Sequence, residues 1–170
     1  MTDLKQIGIV NMLARLQAAA YYGNDFLFNF VCACKVIELT IEYGVHARSP
    51  ARFATLGGGI MILKNDHALS SHLCEIADST QRRFGVQNAA ETTIVIWCWA
   101  LCRVKPFHEA LNPLIEGYSK GVRGGDMERA TSCMLAHSMY LPYVMGRPLG
   151  SIVQRLDKIA PQLEETKHMK

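Results

Sequence analysis

Gly44, Gly85 and Gly125 stand 41 and 40 residues apart, and each closes an amphipathic stretch: "IELTIEYG", "IADSTQRRFG" and "LIEGYSKGVRGG". A glycine just past such a run marks a helix end, because it enters the left-handed backbone region without a steric cost. A more uniformly apolar run follows each stop. The chain therefore reads as a repeated helical hairpin of about forty residues, longer than a tetratricopeptide unit (about 34) and near the lower end of HEAT-type lengths. One hairpin cannot bury its apolar face alone, but stacked hairpins can. The expected fold is all-α: a right-handed α-solenoid of antiparallel hairpins, spanning 1–170 as a single tetratricopeptide-like domain with a concave surface.

Helical periodicity runs almost throughout. Leu69, Leu73, Ile76, Thr80 and Phe84 share one face at steps of three and four, as do Phe107, Leu111, Leu114, Tyr118 and Val122. Leu149, Ile152, Leu156, Ile159 and Leu163 do the same. No stretch of similar length alternates with period two, so no sheet is expected. Turn and cap residues divide the chain into about eight helices, near 2–20, 26–43, 50–63, 66–84, 88–103, 106–122, 126–145 and 149–166. Ser49 reads as an N-cap before Pro50, Asn65 or Asp66 as the next, and Gly125 with Asp126 as a stop followed by a start. The helix in "AETTIVIWCWALCR" is apolar nearly all round, as an inner helix held between neighbours should be.

The stretch "TLGGGIMILKN" places Gly57, Gly58 and Gly59 inside an apolar helix. No GxxxxGK[ST] pattern follows and no strand precedes, which argues against a phosphate loop. Each glycine costs a helix on the order of 1 kcal/mol relative to alanine, so something must offset three of them. Close approach of neighbouring helices is the leading reading, with a kink or short unwound segment the competing one.

The chain is 49% hydrophobic and only 19% charged, against about 25% charged in typical soluble domains. Apolar surface is therefore expected to meet a partner or a neighbouring domain. The nearest approach to a membrane span, Ala130 to Gly146, contains Thr131, Ser132, His137, Ser138 and Pro142 and suits a buried helix. The amino terminus shows no secretory signal. A formal net charge of +3 is too mild for nucleic acid, and the pairs Arg82-Arg83 and Arg48/Arg52 read as solvated helix faces. The six cysteines sit in apolar segments and read as reduced core thiols, which fits a cytoplasmic protein.

Candidate chemistry is sparse. Cys98 and Cys102 share a helix face, but no second matched pair completes a zinc site, so neither metal nor cofactor is expected. Paired Glu164-Glu165 near the end read as an exposed face. No catalytic residue stands out. Trp97 and Trp99 point to different sides of their helix, and together with Tyr140 and Tyr143 they are the candidate protein contacts, burial in the core being the competing reading. Gly57, Gly58, Gly85, Gly125 and Asp126 are structural positions for packing and turns. The resulting expectation is a non-catalytic module that binds a protein or peptide segment or an adjacent domain. The alternative is a stand-alone helical protein with a small-molecule pocket around Cys133, His137 and Tyr140, which follow one another at steps of four and three.

The segment from Lys105 to Leu156 carries Pro113-Leu114, Tyr118, the Gly121 to Asp126 turn, Ala130, Ala136 and the Gly146 to Leu149 pattern. In these features it resembles the tetratricopeptide-like helical region of large predicted-ATPase (AAA/STAND-type) sensor histidine and serine-threonine kinases. The paired helices upstream, with Gly57-Gly58, are similar to the same family. The resemblance implies an interaction or relay role in signal transduction between an ATPase switch and an output domain. The family's tryptophan before the Pro-Leu helix is replaced here by Val104 and Lys105. The phosphate loop, histidine box and ATP-lid glycines do not occur in these residues, so neither ATP binding nor kinase activity is implied.

Overall fold

The computed structural model describes residues 1–85 and 87–167, apart from the side chains of 162, 163 and 165–167. The periodic position Leu163 and the carboxylate of Glu165 thus lie outside the described residues. Eight helices follow one another: α1 Leu4–Tyr22, α2 Phe26–Tyr43, α3 Ser49–Lys64, α4 His67–Gln81, α5 Ala89–Val95, α6 Leu111–Gly124, α7 Met127–Leu135 and α8 Leu149–Lys167. Two of them run on through a π turn, α5 into Ile96–Ala100 and α7 into Ala136–Tyr140, the latter followed by one more helical turn, Leu141–Val144. No strand occurs among the described residues, so the chain is all-α. None of the described helices is long and apolar enough to cross a membrane.

Aspartates start four of these helices. Asp3, Asp25, Asp66 and Asp126 accept the N–H groups of Lys5, Phe28, Leu69 and Arg129 at 2.9, 3.0, 2.9 and 3.3 Å, satisfying donors that a helix start leaves free. Gly125 takes φ 74°, and Asp126 N–H reaches back to Gly121 O at 2.9 Å, so two adjacent residues end α6 and begin α7. Gly85 also has a positive φ, 60°, in the turn after α4. Ser49 does not cap α3. Its hydroxyl is fully buried, 2.7 Å from Thr40 Oγ1, and accepts His46 N–H at 3.1 Å, so it ties α3 to α2 while Pro50 supplies the first-turn residue.

Each helix from α1 to α7 packs on its successor, and α3, α5 and α7 also pack on one another in turn. Three apolar clusters fill the spaces: Val10, Val36 and Leu39 between α1 and α2; Ala54, Cys74, Ala77 and Ile96 among α3, α4 and α5; and Ala90, Leu114, Cys133 and Leu141 among α5, α6 and α7. Small side chains predominate where helices cross, which moves the buried face of α4 from its expected line. Ser70, Leu73, Cys74 and Ala77 are buried, while Leu69 is 42% exposed.

The three glycines of α3 each meet a different neighbour. A Cβ on Gly57 would lie 3.1 Å from the Ser70 carbonyl of α4, and one on Gly58 would lie 3.5 Å from Trp99 Cβ beyond α5. A Cβ on Gly59 would overlap the Phe30 ring of α2. α3 is surrounded, and the missing side chains let three helices approach it. The π turns at 96–100 and 136–140 stand 40 residues apart and 40 beyond this glycine run, so three alternate helices are irregular at one level. A π turn adds a residue per turn and widens the helix.

Candidate binding cavity

On α3, Arg48, Arg52 and Thr55 follow one another at steps of four and three and form a polar stripe on an otherwise apolar helix. α3 lies inside the bundle, so the stripe faces other helices. Arg52 is only 1% exposed, and its Nη1 donates to Glu91 Oε1 at 2.8 Å. Glu91 sits in the first turn of α5, where the helix dipole favours a carboxylate. Arg48 Nη1 lies 4.0 Å from the other Glu91 oxygen, and Arg48 Nε donates to Asn11 Oδ1 of α1 at 2.9 Å. The reading of Arg48/Arg52 as a solvated face is thus corrected for Arg52: the charge is withdrawn from water and paired.

Beside this pair, α1 contributes Gln17, which is 6% exposed. Its Nε2 donates to Asn29 Oδ1 at 3.2 Å and to Thr55 Oγ1 at 3.3 Å, while Asn29 Nδ2 donates to Gln17 O at 3.3 Å. Thr55 spends its own hydrogen on Ala51 O at 2.9 Å, so it can only accept from Gln17, which fixes the amide's orientation. Gln17 Oε1 is left without a partner, and so is Arg52 Nε. An unpaired buried polar atom costs about 1–3 kcal/mol, and most such atoms in folded proteins find a partner.

Both side chains line one cavity of about 230 Å³, together with Asn29, Thr55, Glu91 and Trp99. Tyr21 closes one wall, its ring centroid 4.9 Å from that of Trp99 at a tilt of 51°. At the rim, Tyr22 of α1 donates to Glu128 Oε1 of α7, and Arg129 Nη1 donates to the Tyr22 oxygen at 3.4 Å. The hydrogen bond to Glu128 is the main cause of a raised Tyr22 pKa. A shallower cleft of about 340 Å³ adjoins it, shares Ala18, Glu91 and Arg129, and adds Arg15, Arg48 and Asp126. Burial raises the Asp126 carboxyl pKa above its usual value. The walls of both come almost entirely from α1, α3, α5 and α7.

The candidate contact residues separate. Trp99 is half-buried and lines the cavity. Trp97, also half-buried, lines a groove of about 570 Å³ among α4, α5 and α6, with the Lys105 ammonium 5.7 Å from its ring. Tyr140 and Tyr143 are 55% and 63% exposed, which excludes them from the core. The alternative pocket does not form. Cys133 is fully buried with its thiol 3.5 Å from Ala90 O, and burial pushes that thiol up to about 12. His137 is half-buried beside Ser138 Oγ at 3.3 Å, and Tyr140 faces solvent. The π turn from Ala136 to Tyr140 breaks the spacing that would put these three on one face, and they share none of the cavities described.

Gln17, Asn29, Arg52 and Glu91 were not singled out as site residues by sequence reasoning. The available signal was a polar stripe inside an apolar helix, with an acidic residue 39 positions after Arg52, almost one repeat length away. No protein-family model matches the chain, and no curated protein or solved structure matches it significantly.

Proposed function

We propose that the chain is a non-catalytic helical-repeat interaction module, an α-solenoid of antiparallel hairpins whose inner helices α1, α3, α5 and α7 bind a segment of a partner protein or of a neighbouring domain. The cavity carries this reading: four alternate helices contribute to one polar, aromatic-walled hollow that holds two unpaired buried polar atoms. Its volume lies below the roughly 300–1,000 Å³ of small-molecule sites and suits an inserted side chain. Its acid and base, Glu91 and Arg52, neutralise each other, which favours recognition over proton transfer. The likeness to the helical region of ATPase-linked sensor kinases adds a relay role in signal transduction, with the exposed Tyr140 and Tyr143 as contacts for an adjacent domain.

Selection of a phage-displayed peptide library on the whole chain tests the reading. Enriched peptides should lose about tenfold or more in affinity on Trp99→Ala, the size of an aromatic hot spot, and keep it on Trp97→Ala, with helicity unchanged in both. Absence of saturable enrichment, or equal loss in the two variants, would overturn it.

A further inference from the structure

The cavity's chemistry is more specific than a general peptide groove, and the following step rests on the reading above. Every charged group at its wall already has an opposite partner. Arg52 pairs with Glu91 at 2.8 Å, and Arg129 lies 3.7 Å from Glu128. An added ion would enter without a counter-charge and lose its hydration, which costs several kcal/mol in a buried site. A carboxylate could accept from Arg52 Nε but would confront Gln17 Oε1 and the Glu91 oxygens. An ammonium could donate to Gln17 Oε1 but would confront Arg52.

The two unpaired atoms ask for opposite things. Arg52 Nε is a donor that lacks an acceptor, and Gln17 Oε1 is an acceptor that lacks a donor. A neutral group that holds both functions on adjacent atoms is a carboxamide. A primary carboxamide ends a side chain, so it can enter from a segment lying across the mouth. A backbone amide would have to bring both flanking residues into about 230 Å³. Trp99 and Tyr21 supply flat apolar walls for the methylenes and the planar amide.

We propose that this cavity is a recognition site for the side-chain carboxamide of a glutamine or asparagine in the bound segment, its carbonyl turned to Arg52 and its NH₂ to Gln17. The site discriminates by hydrogen bonding, which rejects analogues that lack the group more strongly than an apolar pocket does.

The test uses N-acetyl-glutamine methylamide as the probe on the full chain, with the glutamate and alanine analogues as comparisons. The chain has two tryptophans, so two indole N–H signals appear in an NMR spectrum, and Trp97→Phe assigns them. The glutamine probe should shift the Trp99 indole saturably and leave that of Trp97 in place. The glutamate and alanine probes should bind at least about tenfold more weakly, the loss expected when one or two buried hydrogen bonds go unmade. Gln17→Met should remove the preference for glutamine over alanine. Equal binding of the alanine probe would mean a backbone-amide site, and equal or tighter binding of the glutamate probe an anion site. No saturable shift would mean a cavity satisfied by water. Each of these three results overturns the proposal. The comparison runs on the unmodified protein, so it does not depend on any variant folding. Peptides that bind through Trp99 but tolerate Gln→Leu would sink this inference and leave the interaction role standing.

Discussion

Arg52 on α3 and Glu91 on α5 form an ion pair of 2.8 Å in which the guanidinium side chain is 2% exposed and the carboxylate 14%. The two helices that carry them pack directly on each other, so the pair is both a seam between them and one wall of the cavity. Burial makes the pair a liability whenever one partner is missing.

Glu91→Gln leaves Arg52 charged and unpaired, and removing one partner of a buried pair typically costs about 3–5 kcal/mol. A chain of this length loses about 2–4 °C in Tm per kcal/mol. The double variant Arg52→Met with Glu91→Leu should recover most of the loss, because neither desolvation penalty remains. Urea unfolding of the two variants checks both statements. A cost under about 1 kcal/mol for Glu91→Gln would show that water in the cavity solvates the guanidinium.

Glycine substitutions should divide by position. Gly8 lies in α1 with nothing within 4 Å of an added Cβ, so Gly8→Ala should stabilise by about 0.5–1 kcal/mol through helix propensity alone. At Gly121 an added Cβ would lie 2.8 Å from the Cβ atoms of both Ala90 and Ala130, and 3.1 Å from Ala130 Cα. These atoms are fixed to two backbones, so α6 must move, and Gly121→Ala should lose about 1–3 kcal/mol despite the same propensity gain. Thermal melts followed by circular dichroism suffice.

Acid should destabilise the fold through its histidines. His46 is held below its usual pKa by burial first, then by Arg48, the amino terminus and Arg52, and its Nδ1 accepts Arg48 N–H at 3.2 Å. His137 shifts the same way, by burial and then by Arg155. A lowered folded-state pKa means that the unfolded chain binds the proton first. Stability should therefore be flat above pH about 7 and fall as pH drops through about 6.5, the unfolded value, towards the folded pKa. His46→Asn should flatten part of that slope in a series of melts between pH 5 and 8.

Thiol reactivity should be selective. Cys74, Cys98 and Cys133 are each pushed up to about 12 by burial, whereas Cys34 is exposed on α2. Iodoacetamide at pH 8 should add one group at Cys34 well before any other, and the three buried thiols should react only at the rate of unfolding. Peptide mass mapping over a time course reads this directly.

Helix order was legible in the sequence because stop glycines, capping aspartates and apolar periodicity are local signals that agree with one another. The first turn of α3 was misread, since a serine beside a proline gives the same pattern whether it caps the helix or, like Ser49, turns inward to Thr40. The π turns at Ile96–Ala100 and Ala136–Tyr140 left no local signature, and one of them undid the expected grouping of Cys133, His137 and Tyr140. The cavity was the least legible part. An arginine in a helix is ordinarily solvated, and only the juxtaposition of Arg52 with Glu91, and of Gln17 with Asn29 and Thr55, reveals a buried polar seam. Those partners sit 39, 12 and 38 positions apart, beyond the reach of helical spacing.

In a row of stacked helical pairs, what happens at one end is felt next door and fades with distance. Tyr22 changes that rule for this chain. Its hydroxyl fastens the end of α1 to Glu128 and Arg129 at the start of α7, across 106 positions of sequence. The first and seventh helices therefore loosen together or stay shut together, and the mouth they frame is governed by the two extremities of the fold at once.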